Sequence, residues 1–235
     1  MIIAADWVVP VDGPPIRNGA VRVEGRAIAE VGPADDAADE RFDGAVILPG
    51  LVNAHTHLEY AAMGGFGDGM AFGPWIEDHI RRKAATGAGD SLEQARAGAA
   101  ACLRAGVTTI ADCSYSGAVA DAAAEAGLRA IVYLEGFSDW PDLRARTEAR
   151  LDAATATELV QAGVSPHAPF TVTLDDYRML VGLARERGLP TATHLLVSGP
   201  RMSPNSSRCI VSRADSSRCV AIGTPRSRAR PTSMR

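Results

Sequence analysis

The feature that most restricts what this chain can become is a recurring order of helix, breaker and strand. A helical stretch from Asp90 closes at Gly106, and residues 107–113 read as a strand. A small-residue helix from Gly117 closes at Gly127, ahead of a strand at 130–135. Pro141 is expected to open a helix that runs through Ala162 and closes at Gly163, with Val164-Ser165-Pro166-His167-Ala168 behind it. Thr173, with Asp176 three residues on, caps a helix that ends at Gly188 and hands over to a strand at 190–195. Short connections of this kind join parallel strands through crossover helices. With the apolar run after Gly50 there are five such strands. The expected class is α/β, with five parallel strands crossed over by helices.

The organisation along the chain falls into three parts. Residues 1–45 hold short β-favouring runs separated by turns such as Asp12-Gly13-Pro14-Pro15, which predicts a small β unit. Residues 46–197 carry the βα units, with a Gly- and Met-rich loop at 60–74 and a further helix at 75–83. Residues 198–235 are different in kind: nine Ser, eight Arg and four Pro fill most of 38 positions, and no period is visible. By composition that tail is expected to be disordered, and a reading-frame change near position 196 is its expected origin, with a natural basic tail as the alternative.

The chemistry concentrates at His55 and His57. On a strand, residues i and i+2 share a face, so both imidazoles project from the strand's C-terminal end toward one point. Neutral imidazole is a common ligand for zinc and similar ions. A pair of histidines that merely hydrogen-bond is the plain competitor. Active residues on parallel barrels lie at strand C-termini. By that rule Cys113-Ser114, His167 and His194 are the other candidate positions. His79, in a helix beside Asp78 and Arg81, is expected on the solvated surface.

The run Pro49-Gly50-Leu51-Val52-Asn53-Ala54-His55-Thr56-His57 resembles the metal-dependent amidohydrolases, in particular their cytosine-deaminase-like and chlorohydrolase-like branch. The resemblance covers about residues 1–195 and is nearest to deaminases of the aminodeoxyfutalosine and adenosylhomocysteine type. It implies a (β/α)8 TIM-type barrel, eight strands when closed, of which this chain carries a partial one of about five βα units, with residues 1–45 as the N-terminal piece of a small β-sandwich. It also implies hydrolysis of C–N bonds other than peptide bonds, on an adenine-bearing nucleoside or related heterocycle. One divalent metal ion is implied, zinc or alternatively iron, held by His55, His57 and His194. His167 in Ser-Pro-His-Ala-Pro, Glu59 and Trp75 are the expected substrate contacts, and Glu59 could equally support a ligand from behind. Intact members are expected to be homo-oligomers.

Two departures bear on activity. The glutamate that relays a proton in the resembled enzymes should stand three residues after His194, where this chain has Val197. The later histidine and the metal-binding aspartate have no counterpart either. A chain of these 235 residues is therefore expected to be inactive, a truncated form with no catalytic proton shuttle. The alternative is a non-catalytic metal-binding or interaction fragment of the same fold.

Charge and cysteine usage narrow the setting. Residues 1–197 carry 16 Lys and Arg against 27 Asp and Glu, so the body is acidic and no nucleic-acid or membrane partner is expected. The four cysteines show no Cys-x-x-Cys spacing and read as free thiols. Without a secretory segment or a long apolar run, a cytoplasmic protein is expected.

Overall fold

The structure is a computed structural model that describes residues 1–35, 37–85, 87–195 and 219–223. It divides into two compact units, Met1–Leu51 and Val52–Arg235.

The first unit is a four-stranded sheet of β1 (Ile2–Val8), β2 (Ile16–Glu24), β3 (Ala27–Pro33) and β4 (Glu40–Ile47), in the order β3-β2-β1-β4. β1 and β2 pair antiparallel, as do β2 and β3, while β4 lies parallel to β1. Ala4, Ala5 and Val8 of β1 and Ala20 and Val21 of β2 are buried. Five residues of that size make a thin core, which suits a small sheet.

The second unit is an α/β half-barrel. Its strands are β5 (Leu51–Thr56), β6 (Val107–Ser114), β7 (Arg129–Gly136), β8 (Val160–Pro166), β9 (Thr191–Leu195) and β10 (Cys219–Gly223), adjacent in chain order. From β6 to β10 each neighbouring pair is parallel. The helices are α1 (Phe72–Ala84), α2 (Ala88–Arg104), α3 (Val119–Ala126), α4 (Leu143–Ala153) and α5 (Leu174–Glu186). Alternation along β7 separates two faces. Ala130, Val132 and Leu134 join the large cluster built with α3 and α5, whereas Ile131 and Tyr133 pack with Cys113 and Ala192. Glu135 continues the Tyr133 face, and that face carries the polar chemistry. Among the described residues, no helix is long and apolar enough to cross a membrane.

Five βα strands, β5 to β9, stand as expected, with corrections. The helix expected from Pro141 through Ala162 ends at Ala153, and β8 begins at Val160. Gly163 lies inside β8 and stops no helix: a Cβ there would sit 2.6 Å from Tyr133 Cδ1 and 2.9 Å from the Pro190 carbonyl oxygen. Its lack of a side chain serves sheet packing. Gly98 has the same function in α2, where a Cβ would meet the Leu58 carbonyl oxygen at 2.9 Å. The tail expected at 198–235 lies outside the described residues except for β10. That strand is Cys-Val-Ala-Ile-Gly, the longest apolar run of the segment, and it pairs with β9 from Thr191 to Leu195.

Candidate metal centre

Parallel strands deliver their C-terminal ends to one edge, so Thr56, Ser114, Gly136, Pro166 and Leu195 close five strands around a common rim. The first aiming device there is Asp112, buried completely on β6. Its Oδ2 accepts from the Thr56 hydroxyl at 2.6 Å and from the Leu58 N–H at 2.8 Å. Those donors flank His57, so one carboxylate fixes the backbone on both sides of that imidazole. Burial pushes the Asp112 carboxyl up to about 7 despite the two hydrogen bonds.

His194, on β9, is held by its neighbour on the rim. Its backbone N–H donates to the His167 carbonyl oxygen at 2.9 Å, and its Nδ1 reaches the same oxygen at 3.2 Å. With Nδ1 as donor, Nε2 keeps a free lone pair. That Nε2 lies 3.2 Å from His57 Nε2. Two ligand atoms on one tetrahedral ion at ordinary zinc–nitrogen distances are separated by about 3.3 Å. The His55 ring meets both others edge-on, with centroids 4.9 Å from His57 and 5.1 Å from His194.

Burial keeps these rings neutral. It depresses His57 to about 3, with His194 and His55 adding to the effect, and it depresses His194 to about 4. His55 is shifted down by burial as well. Neutral imidazoles offer lone pairs, and His55 Nδ1 and His57 Nδ1 are buried with no hydrogen-bond partner. The donor set therefore fits a divalent ion. Among the described residues, donor atoms come within 4.8 Å of one another in two groups, His57–Glu135–His194 and His55–Cys113–His194. The expected histidines are brought together, but each of the pair falls in a different group.

His167 stands beside this cluster. Its Nδ1 is 2.7 Å from the Thr171 hydroxyl, its ring stacks on Phe137 at 4.5 Å, and burial lowers it to about 3. Trp75, on α1, lies half-buried at the end of a row of rings: Trp75 on His79 at 5.2 Å, His79 on Tyr60 at 4.7 Å, Tyr60 on His57 at 5.4 Å. His79 is thus part of an aromatic cluster, not the solvated surface residue its helical neighbours suggested. Glu59 is buried, and its carboxylate faces the loop after β6. It accepts from the backbone N–H groups of Tyr115 at 2.5 Å and Ser116 at 3.0 Å, and from the Ser116 hydroxyl. Val197 lies outside the described residues.

Sequence reading passes over Asp112 and Glu135. Glu135 is 2% exposed, and its Oε1 sits 3.8 Å from His194 Nδ1 and 4.0 Å from His167 Nε2 with no hydrogen-bond partner. Burial pushes its carboxyl up to about 8, while Lys83 works against that rise. The strand-end rule that selects His194 selects Glu135 equally well.

Comparison with known proteins follows the same outline. Residues 46–207 match the model of the amidohydrolase family. The 5-methylthioadenosine/S-adenosylhomocysteine deaminase of Syntrophobacter fumaroxidans is 33% identical over 202 residues, which are 78% of this chain and 46% of that protein. An adenosine deaminase from Xanthomonas campestris, solved with bound zinc, superposes with a TM-score of 0.70 at 25% identity, covering 82% of this chain and 48% of the other. The aminofutalosine deaminase of Helicobacter pylori, 23% identical with a TM-score of 0.69 over 83% of this chain and 50% of its own, shares the fold. The chain spans about half the length of the curated relatives it matches. With a parallel half-barrel whose rim gathers three neutral histidines, and a family match over most of its length, the chain belongs to the amidohydrolase family.

Proposed function

We propose that these residues form the metal-holding half of a zinc-dependent deaminase that acts on an adenine-bearing nucleoside. The observation that carries this reading is the 3.2 Å approach of His57 Nε2 and His194 Nε2, with His55 alongside, on a sheet edge where barrel enzymes keep their chemistry. The relatives named for deamination of methylthioadenosine, adenosylhomocysteine and adenosine supply the substrate class. His55, His57 and His194 would hold the ion. When bound, such an ion supplies a hydrolytic water at neutral pH by lowering its pKa.

The remaining roles belong to the chain's own side chains. The Thr171 hydroxyl directs its proton to the Ala168 carbonyl oxygen at 3.2 Å, so it accepts from His167 Nδ1. His167 Nε2 is then an acceptor for a substrate N–H or O–H. Phe137, stacked on the same ring, holds its plane. Trp75, with Phe72 at 5.8 Å, offers flat apolar surface for a purine. Glu59 has its oxygens engaged by residues 114–116, and we assign it to holding that loop. The free thiols of Cys102 and Cys113 suit a cytoplasmic setting. A cavity of about 710 Å³ lies at the opposite edge, around the starts of β7 and β8. Arg129, Glu158 and Arg187 line it with no clustered metal-binding donors, so the rim is the better site.

Proton transfer is where this chain falls short. A positioned general acid–base contributes about 10²–10⁴-fold, and Val197 cannot supply one. That residue favours a second reading, a metal-binding fragment without turnover. Ammonia release from adenosine, methylthioadenosine and adenosylhomocysteine separates the two. A chain extended through the alternative reading frame should deaminate at least one of them, and the 235-residue chain should not. Failure of the extended chain on all three, with zinc bound, would leave the fragment reading.

A further inference from the structure

We propose that Lys83 reads the far end of the substrate: its ammonium takes a carboxylate carried on the 5′ substituent of the nucleoside. The inference rests on the deaminase reading above and names the kind of nucleoside that such a site prefers.

Three observations lead there. The first is the residue itself. Lys83 is the single lysine of 235 residues, against 23 arginines. Lysine supplies a compact, flexible point charge where arginine supplies a broad planar fork. The second is the face it shares. Trp75, His79 and Lys83 recur every four residues on α1 and so line one side of that helix. Contacts show where that side lies. Trp75 stacks on His79, His79 meets Tyr60 edge-on, and Lys83 Nζ rests 3.2 Å from the Tyr115 ring centroid. At the start of α1, Phe72 meets Phe170 at 6.4 Å, so the helix runs across the rim from the loop after β8 to the loop after β6. Eight residues of helix separate Trp75 from Lys83 by about 12 Å. A purine against Trp75 therefore leaves Lys83 beyond the ribose, where a 5′ substituent ends. The third is that the ammonium is uncommitted. Among the described residues, none makes an ion pair or hydrogen bond with Nζ. The charged groups that act on it are Glu135, Glu59, Arg150 and Asp139. Glu59 is engaged by the loop after β6, and Arg150 donates to the Glu135 carbonyl oxygen at 2.5 Å and the Tyr115 carbonyl oxygen at 2.6 Å. Tyr115, Phe137 and Trp140 pack together with centroids 5.2 to 5.8 Å apart, and Phe137 stacks on His167. These rings form an apolar shelf from the expected substrate contact His167 to Nζ, which is 5.3 Å from the Phe137 centroid.

Two matched probes decide the matter, 5′-(3-carboxypropyl)thioadenosine and its methyl ester, titrated by calorimetry into the 235-residue chain supplied with zinc. The parent should bind the acid at least about tenfold tighter than the ester, the gain expected of one hydrogen bond between charged groups. Lys83→Met should bring acid and ester within about twofold of each other. A second readout needs no variant to fold. Reductive methylation with ¹³C-formaldehyde labels Lys83 and the N-terminal amine, because the chain has no other primary amine. The Lys83 resonance of the parent should move further with the acid than with the ester. If the ester binds and the acid binds no tighter, the proposal fails alone. A preference that survives Lys83→Met, or a Lys83 resonance that moves equally with both probes, overturns it likewise. Binding of neither probe by the zinc-loaded parent would overturn the nucleoside reading and the proposal with it.

Discussion

Glu59 and Glu135 are equally buried, each 2% exposed, and they occupy opposite conditions. The Glu59 region is saturated: two backbone N–H groups and the Ser116 hydroxyl converge on one carboxylate and tie the loop after β6 to the end of β5. The Glu135 region is unsatisfied, with an oxygen that faces two imidazoles and takes no hydrogen bond. Asp112 stands between them, one oxygen holding two donors and the other holding none. Burial alone therefore does not mark function on this rim. A carboxylate whose partners are complete holds the frame, and Asp112 shows that a single engaged oxygen can do the same while the other stays unpartnered.

Mutation can break that ordering. Glu59→Ala should have the largest effect on folding, about 3–4 kcal/mol, because it strands several donors at once. Asp112→Ala should cost about 2 kcal/mol, since one oxygen's bonds are lost and the other had none to lose. Urea unfolding of the zinc-free chain measures both, and equal losses would erase the distinction.

The pH dependence of the zinc-free chain sharpens it. His57, His167 and His194 are depressed to about 3, 3 and 4, so the unfolded chain binds their protons first. Their stability contribution is complete above 6.5 and is lost as pH falls below it. Asp112 and Glu135 are raised to about 7 and about 8, so theirs is complete in acid and is lost as pH rises through those values. His55 and His79 are shifted down by burial as well, so between pH 5 and 6.5 the depressed imidazoles outnumber the two carboxyls and stability should rise with pH. Above 6.5 only the carboxyls act, and stability should fall toward pH 8. Unfolding free energies that climb steadily to pH 9 would show that these carboxyls are not held uncharged.

Glu135→Gln should have the smallest effect on folding of the zinc-free chain, about 0.5 kcal/mol or less in either direction, because no hydrogen bond to Oε1 is lost. A loss comparable to that of Glu59→Ala would place Glu135 among the frame-holding residues.

Much of this was legible in the chain, for reasons that also show where legibility stops. The parallel order of β6 to β9 follows from short apolar runs behind breakers at Gly106, Gly127 and Gly188. Gly163 looks the same in sequence, but the Tyr133 ring against it comes from another strand, and no local pattern could report that. The 154–162 segment is rich in Ala and Thr, and its switch to β8 at Val160 depends on pairing with Ala130. His55, His57 and His194 carried a motif or a strand-end position. Glu135 carried the position without the motif, and what singles it out, an oxygen lacking a donor, exists only once the strands are assembled. His79 was misplaced for the same reason: Asp78 and Arg81 are its neighbours in sequence, but Tyr60 and Trp75 are its neighbours in space.

The most direct measurement is zinc content at saturation for the 235-residue chain and for His57→Ala and His194→Ala. The account predicts one zinc per chain in the parent and binding weakened by about 100-fold or more in either variant, since each removes a ligand outright. Undiminished binding in both variants, or no zinc in the folded parent, would contradict a metal centre on this rim.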